Sequence, residues 1–239
     1  MKQGNVQLRE MANLQQFVTE HLRGRGQLRV LEAGCGAATH LQFGSQAYVV
    51  GVDRSEALLQ RNPGLDERTP GDLETLEWPE PQFDVIVCWN VLEHLSQPDK
   101  ALLHFFSAIK PNGFIVLVYP NPLSVKSLIT KFTPFWFHVW GTRHLAGRKT
   151  AGTQGGGPFL TFMRFSLAPA RVVDLASAHG CVCAYSRNFE SNKQKRIREK
   201  LRIRGALWRG IRSLVEAVSR GRIEAARDQC FLVLRSTTP

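Results

Sequence analysis

A chain of 239 residues, 43% hydrophobic and 21% charged, is long enough to bury a substantial core. It holds no run near the roughly 20 apolar residues of a membrane-spanning helix, and its first residues, MKQGNVQLREMANLQQF, lack an apolar leader core, so a cytoplasmic protein is the expectation. The net charge of +11 is lopsided: residues 187–239 carry 14 Lys and Arg against 5 Asp and Glu, which concerns a surface and its partners rather than the fold.

Residues 5–22 read as an amphipathic helix, with Met11, Leu14, Val18 and Leu22 at three- and four-residue steps, closed by Gly24-Arg25-Gly26. The runs LRVLEAG, AYVVGVD, FDVIVCW and GFIVLVYP are apolar without alternation, the pattern of parallel strands covered on both faces. Helices are expected between them. One is a short helix after Gly36, and Ser55 caps another through Leu58 and Leu59. Ser96 precedes a third with Leu102, Phe105 and Ile109 on one face, stopped at Lys110-Pro111-Asn112-Gly113. Strand–helix alternation predicts βαβ units and a parallel sheet.

Past Pro120 the alternation lapses through an aromatic cluster (Phe132, Phe135, Trp136, Phe137, Trp140) and the Gly-rich GTQGGGP. A helix over 169–178, stopped by Gly180, a strand CVCAYSRN, a basic segment 193–227 and a last strand QCFLVLRS complete the chain. The five cysteines, Cys35, Cys88, Cys181, Cys183 and Cys230, lie in or beside apolar runs with no Cys-x-x-Cys pair, which argues for reduced, buried thiols rather than a metal site.

The most informative stretch is VLEAGCG. A strand, Leu28 to Glu32, runs into Gly34-Cys35-Gly36, where glycines permit a tight turn and close approach of a ligand. The next strand ends in Asp53, placed to accept hydrogen bonds from ribose hydroxyls or, equally, to serve the helix start at Ser55. The third glycine of a dinucleotide site is replaced by Thr39, and no Gly-x-x-x-x-Gly-Lys-Ser/Thr loop occurs. Glu32, just before the glycines, repels a pyrophosphate but tolerates a cation. An adenosine cofactor with a positive charge and no phosphate fits best.

Glu32-Ala33-Gly34-Cys35-Gly36 resembles motif I of the class I S-adenosylmethionine methyltransferases. Asp53 resembles the acid that closes strand 2 in that family, and Gly71-Asp72-Leu73 its strand-3 exit. FDVIVCWNVLEHLSQP resembles the strand-4 motif, and Ile109 to Gly113 the turn before strand 5. The likeness covers about residues 28–120. It implies a Rossmann-like, doubly wound α/β fold: a seven-stranded sheet with its last strand antiparallel. It also implies one domain over 1–239, with a cover helix (1–24), a cofactor-binding core (25–120), a substrate-lid insertion (121–166) and a carboxy-terminal part (167–239). S-adenosyl-L-methionine would then be held by Glu32, Gly34, Cys35, Gly36, Asp53, Arg54, Asp72, Leu73, Trp89 and Asn90. Gly71-Asp72 taken alone can also be a simple turn.

In such a fold the acceptor sits beyond the ends of strands 4 and 5. His94 is the candidate base there, since imidazole titrates near neutrality. Its position resembles that of a His in some small-molecule O-methyltransferases of the family, although a Glu-His-Leu can also serve packing alone. An Asn/Asp-Pro-Pro-Tyr/Phe segment, shared by family members that methylate base amino groups or glutamine amides, is missing. Phe135, Trp136 and Trp140 are candidate substrate contacts of an apolar lid, or else a satellite core under a long loop. Residues 195–218 place Ile197, Leu201, Trp208, Ile211, Val215 and Val218 at helical spacing among Lys and Arg, with Gly205 and Gly210 weakening one continuous helix. That segment suits an anionic membrane surface, RNA phosphates, or plain packing with solvated charges. The expectation is O-methylation of a small apolar or amphipathic acceptor. RNA methylation and a non-catalytic cofactor-binding or peripheral membrane role are the alternatives.

Overall fold

The computed structural model describes residues 6–134, 136, 143–144 and 160–237. The apolar runs form β1 (Leu28–Ala33), β2 (Ala47–Asp53), β4 (Phe83–Trp89) and β5 (Ile109–Pro120). A short polar edge strand, β3 (Glu67–Pro70), and the later β6 (Cys181–Phe189) and β7 (Gln229–Ser236) complete one seven-stranded sheet in the order β3-β2-β1-β4-β5-β7-β6. Strands β1 to β5 pair in parallel, and β7 runs antiparallel between β5 and β6. The last strand of the chain is thus the reversed one. Strand order turns back between β1 and β4, which opens a crevice at their carboxyl ends.

Successive residues of each central strand enter opposite layers, which is why the runs lack polar alternation. Ile86 and Cys88 of β4 pack with Leu102 and Phe105 of α3 (Pro98–Ala108) and Val172 of α5 (Pro169–Ala178). Val85 and Val87 face the other layer, where α1 (Val6–Leu22) contributes Leu14, Val18 and Leu22. A lone helix of this length is marginal in water. Burying each of those side chains is worth about 1.5–3 kcal/mol, so docking holds α1 in place.

Two local expectations need correction. The crossover from β1 to β2 contains no helix. Residues 34–46 must return along the length of β2, and a helix rising about 1.5 Å per residue would consume the whole connection with nothing left for its turns. The segment is irregular instead, and Gln15 of α1 clamps it by donating its side-chain amide nitrogen to the Gln42 carbonyl at 2.8 Å and accepting from the Gln42 amide at 2.9 Å. Ser96 does precede α3, as expected, without holding its cap position. Gln97 holds that position, Pro98 fixes the first turn, and Ser96 bonds elsewhere. Second, Ile109 opens β5 rather than closing α3, and Lys110–Gly113 form an irregular start to that strand, with Asn112 at φ 59°. A Cβ on Gly113 would lie 2.9 Å from the Lys110 carbonyl oxygen, which is why glycine occupies that bend. Ser55 does cap α2 (Glu56–Gln60), accepting from the Leu58 amide.

Past β5 the chain forms α4 (Val125–Phe132). The basic segment divides into α6 (Asn192–Lys200) and α7 (Gly205–Val218), broken where Arg202 and Gly205 take φ 58°, while Gly210 lies within α7. Among the described residues no helix is long and apolar enough to cross a membrane.

Candidate functional site

The turn after β1 depends on two left-handed glycines, Gly34 at φ 72° and Gly36 at φ 55°. Amides of Gly34 and Cys35 donate to the Val52 carbonyl of β2, at 2.7 and 3.2 Å. A Cβ on Gly34 would stand 2.5 Å from a Val91 methyl, so the backbone there is packed to contact. Asp53, closing β2, accepts from the Gly36 amide at 2.9 Å and from the Ser55 amide at 2.8 Å. One carboxylate therefore ties the glycine turn to the start of α2. A carboxylate offers about four acceptor positions, so roughly two remain for ribose hydroxyls.

Beyond β3, Asp72 accepts from the Glu74 amide at 2.9 Å and from the Arg54 guanidinium at 2.6 Å. Arg54 reaches Glu74 as well, at 3.0 Å, and Glu74 in turn accepts from the Ser96 hydroxyl and the Gln97 amide. Desolvation pushes both carboxyls up, but these donors outweigh it and hold Asp72 and Glu74 below the usual carboxylate range. Leu73 is buried, and its carbonyl accepts from the His104 ring.

Gly34, Asp53, Arg54, Leu73 and His94 line one cavity of about 130 Å³ at the switch point, together with Gly71, Val91 and Leu95. The sequence marks Gly71 only as part of the strand-3 exit, and it does not single out Val91 and Leu95 as site residues, although they flank the Glu-His pair already noted. A second cavity, about 330 Å³, is lined by Glu32, Thr39, Leu41 and Gly64 among others. Glu32 is buried and accepts from the His40 amide, yet its Oε1 has no hydrogen-bond partner, and burial pushes its carboxyl up to about 8. Burial first, then the charges of Asp53 and Glu32, raise the Cys35 thiol to about 12, so it is no nucleophile. Trp89 stacks on His40, with ring centroids 4.8 Å apart, and leans on Phe231. Asn90, at φ 53°, bonds its amide to the Val118 carbonyl. Neither Trp89 nor Asn90 is among the residues lining the two cavities.

His94 ends a single 3-10 turn, Leu92–His94, after β4. Its Nδ1 lies 2.6 Å from the Leu160 carbonyl, and the Glu93 carbonyl accepts from the amides of Phe162 and Met163. Lys131 of α4 donates to the Met163 carbonyl at 2.9 Å. Residues 160–163 thus strap the turn that carries His94, a contact between positions 66 apart that no sequence signal announces. The neighbouring Glu93 is buried, with its carboxyl raised to about 8 by that burial, and its Oε1 stands 3.9 Å from His94 Nε2. Of the expected lid aromatics, Trp136 is largely exposed, while Phe135 and Trp140 lie outside the described residues.

A glycine turn, a strand-closing acid and an acidic exit from β3, gathered at one switch point without a phosphate loop, define an α/β domain for an adenosine cofactor. Comparisons with known proteins agree. A family model described as a methyltransferase domain matches residues 4–150, and the chain belongs to that family. A ubiquinone biosynthesis O-methyltransferase of Neisseria meningitidis is 30% identical over 52% of this chain and 60% of its own length. The mitochondrial enzyme of that name from Schizosaccharomyces pombe is 32% identical over 42% of each chain. The match therefore spans about half the length of these relatives. The YcgJ protein of Bacillus subtilis shares the fold, with a TM-score of 0.57 at 15% identity over 95% of this chain and 99% of that one. The fold is that of the class I methyltransferases, and the family's cofactor is S-adenosylmethionine. The residues present fit that molecule: open space where a Cβ at Gly36 would stand, beside the Asp53 carboxylate, and a buried acid, Glu32, one of whose oxygens lacks a hydrogen-bond partner.

Proposed function

We propose that the protein transfers a methyl group from S-adenosylmethionine to a hydroxyl of a small apolar or amphipathic acceptor. The cofactor supplies a methyl group on a sulfonium, open to in-line displacement. Asp53 holds the ribose through its remaining acceptor positions, the Gly34–Gly36 turn admits the chain of the cofactor, and Glu32 faces its cationic end. Asp72 and Leu73 border the adenine. The observation that carries the choice of oxygen is the setting of His94. A carbonyl can only accept, so the Leu160 contact makes Nδ1 the protonated nitrogen and leaves the lone pair on Nε2. That tautomer is the one that can take the proton of an acceptor hydroxyl, in the cavity shared with Asp53 and Gly34. Relatives named as O-methyltransferases of ubiquinone biosynthesis support both the atom and an apolar acceptor.

The test is purified protein with methyl-labelled donor and a panel of phenols, quinols and aliphatic alcohols, followed by mass spectrometry. Methyl ethers should appear, and His94→Gln should slow their formation by about 10²–10⁴-fold while cofactor affinity stays within a few-fold. Products methylated only at nitrogen or carbon, or a His94→Gln variant as fast as the parent, would overturn the reading.

A further inference from the structure

α7 is a helix without a core. Not one of its residues is buried, although its apolar positions form a continuous stripe. The stripe has two edges. Trp208, Ile211 and Val215 are half-buried, with Arg198 of α6 over the Trp208 ring at 4.7 Å, so this edge rests on the protein. Leu207, Leu214 and Val218, at 57, 64 and 78% exposure, form the other edge and face solvent. Residues 192–222 add eleven Lys and Arg against two Glu. Among the described residues, exposed Arg202, Arg204, Arg209, Arg220 and Arg222 have no acidic partner. A leucine edge bordered by unpaired guanidinium groups serves no purpose in water. It matches a surface that is anionic at the headgroups and apolar just beneath.

Its place in the fold gives this surface a use. Asp228 at the entrance to β7 bonds the cap of α6 through Ser191 and pairs with Lys126 of α4. α4 in turn holds the Met163 strap over the His94 turn. The basic helices are therefore anchored at the carboxyl end of the sheet, the end where the acceptor enters. We propose that α6 and α7 dock the protein on an anionic membrane surface, with Leu207, Leu214 and Val218 inserted below the headgroups, so that an amphipathic acceptor can pass from the bilayer to His94. RNA phosphates would answer the arginines but leave the leucine edge unexplained.

The docking step rests on the surface alone, and only its purpose rests on the acceptor proposed above. It is measured without cofactor or acceptor, so that either can fail separately. The full chain is mixed with vesicles of phosphatidylcholine, or of phosphatidylcholine with phosphatidylglycerol, and sedimented. Binding should favour the anionic vesicles by at least about tenfold, weaken as salt rises, and fall by about tenfold in Leu207→Glu/Leu214→Glu. Both positions are exposed, so the variant should melt with the parent. Indifference to lipid charge, or a double variant that binds like the parent, would overturn the proposal. So would binding to a generic RNA that the double variant retains while vesicles are ignored.

Discussion

Gly34 lies under Val91 so closely that a methyl group added at Gly34 would stand 2.5 Å from one branch of the valine and 2.7 Å from the other. The glycine turn and the 3-10 turn carrying His94 are thus a packed pair, and Gly34, Val91 and His94 line the same cavity. Gly34→Ala should combine left-handed strain of about 1–2 kcal/mol with overpacking of about 1–3 kcal/mol. Gly36→Ala, at φ 55° with open space around it, should incur the strain alone. Thermal unfolding and calorimetry with the cofactor should rank Gly34→Ala as the worse variant. Val91→Ala added to it should restore part of both stability and affinity. Equal losses in the two glycine variants would mean that the contact has no weight.

Much of this was readable in the chain. Unalternating apolar runs announce β1, β2, β4 and β5 because strands covered on both faces need apolar residues at every position. Asp53 could be picked out by its place at the end of such a run; its reading as a support for the helix start holds, since it accepts from the Ser55 amide, and its bond from the Gly36 amide, which ties down the glycine turn, went unread. What escaped was long-range. Nothing beside Ser96 announces that Glu74, far away in sequence, claims its hydroxyl. β3 is a polar four-residue edge strand with no apolar signature. The missing crossover helix follows from counting the distance to be covered, not from any residue's propensity. The strap on His94 joins parts of the chain that share no periodicity.

Two buried carboxyls give the protein a pH signature. Glu32 and Glu93 each have an ordinary value of 4.5 raised to about 8 by desolvation. Because the folded values are the higher ones, the folded state binds more protons than the unfolded chain between these limits. Stability therefore falls as pH rises from about 4.5 to about 8, with a slope of up to roughly 1.4 kcal/mol per pH unit for each group, and levels off above. Denaturant titrations across this range should show the decline, and Glu32→Gln should make it shallower. Since a cation beside Glu32 favours its ionised form, saturating cofactor should also flatten the curve. A Glu32→Gln variant with the parent's pH dependence would show that Glu32 ionises freely in the folded protein.

Asp228 joins three elements from a fully buried position: it accepts from the amide and the hydroxyl of Ser191, both at 2.6 Å, and pairs with Lys126. Removing one partner of a buried ion pair typically costs 3–5 kcal/mol, since the other charge is left uncompensated. The Lys126 side chain keeps 30% exposure and can turn partly to water, so the lower end applies, and Asp228→Ala should lose about 3 kcal/mol. Asp228→Asn should recover little, because an amide nitrogen cannot accept from Lys126 or Ser191. The exposed Arg212–Glu216 pair on α7, 3.6 Å apart, supplies the contrast: Glu216→Ala should shift stability by no more than about 0.5 kcal/mol. Urea midpoints at constant slope would measure both. If Asp228→Ala proved as mild as Glu216→Ala, the buried network would not be what fixes α4 and α6 to the sheet, and the placement of the basic helices beside the acceptor mouth would need another cause.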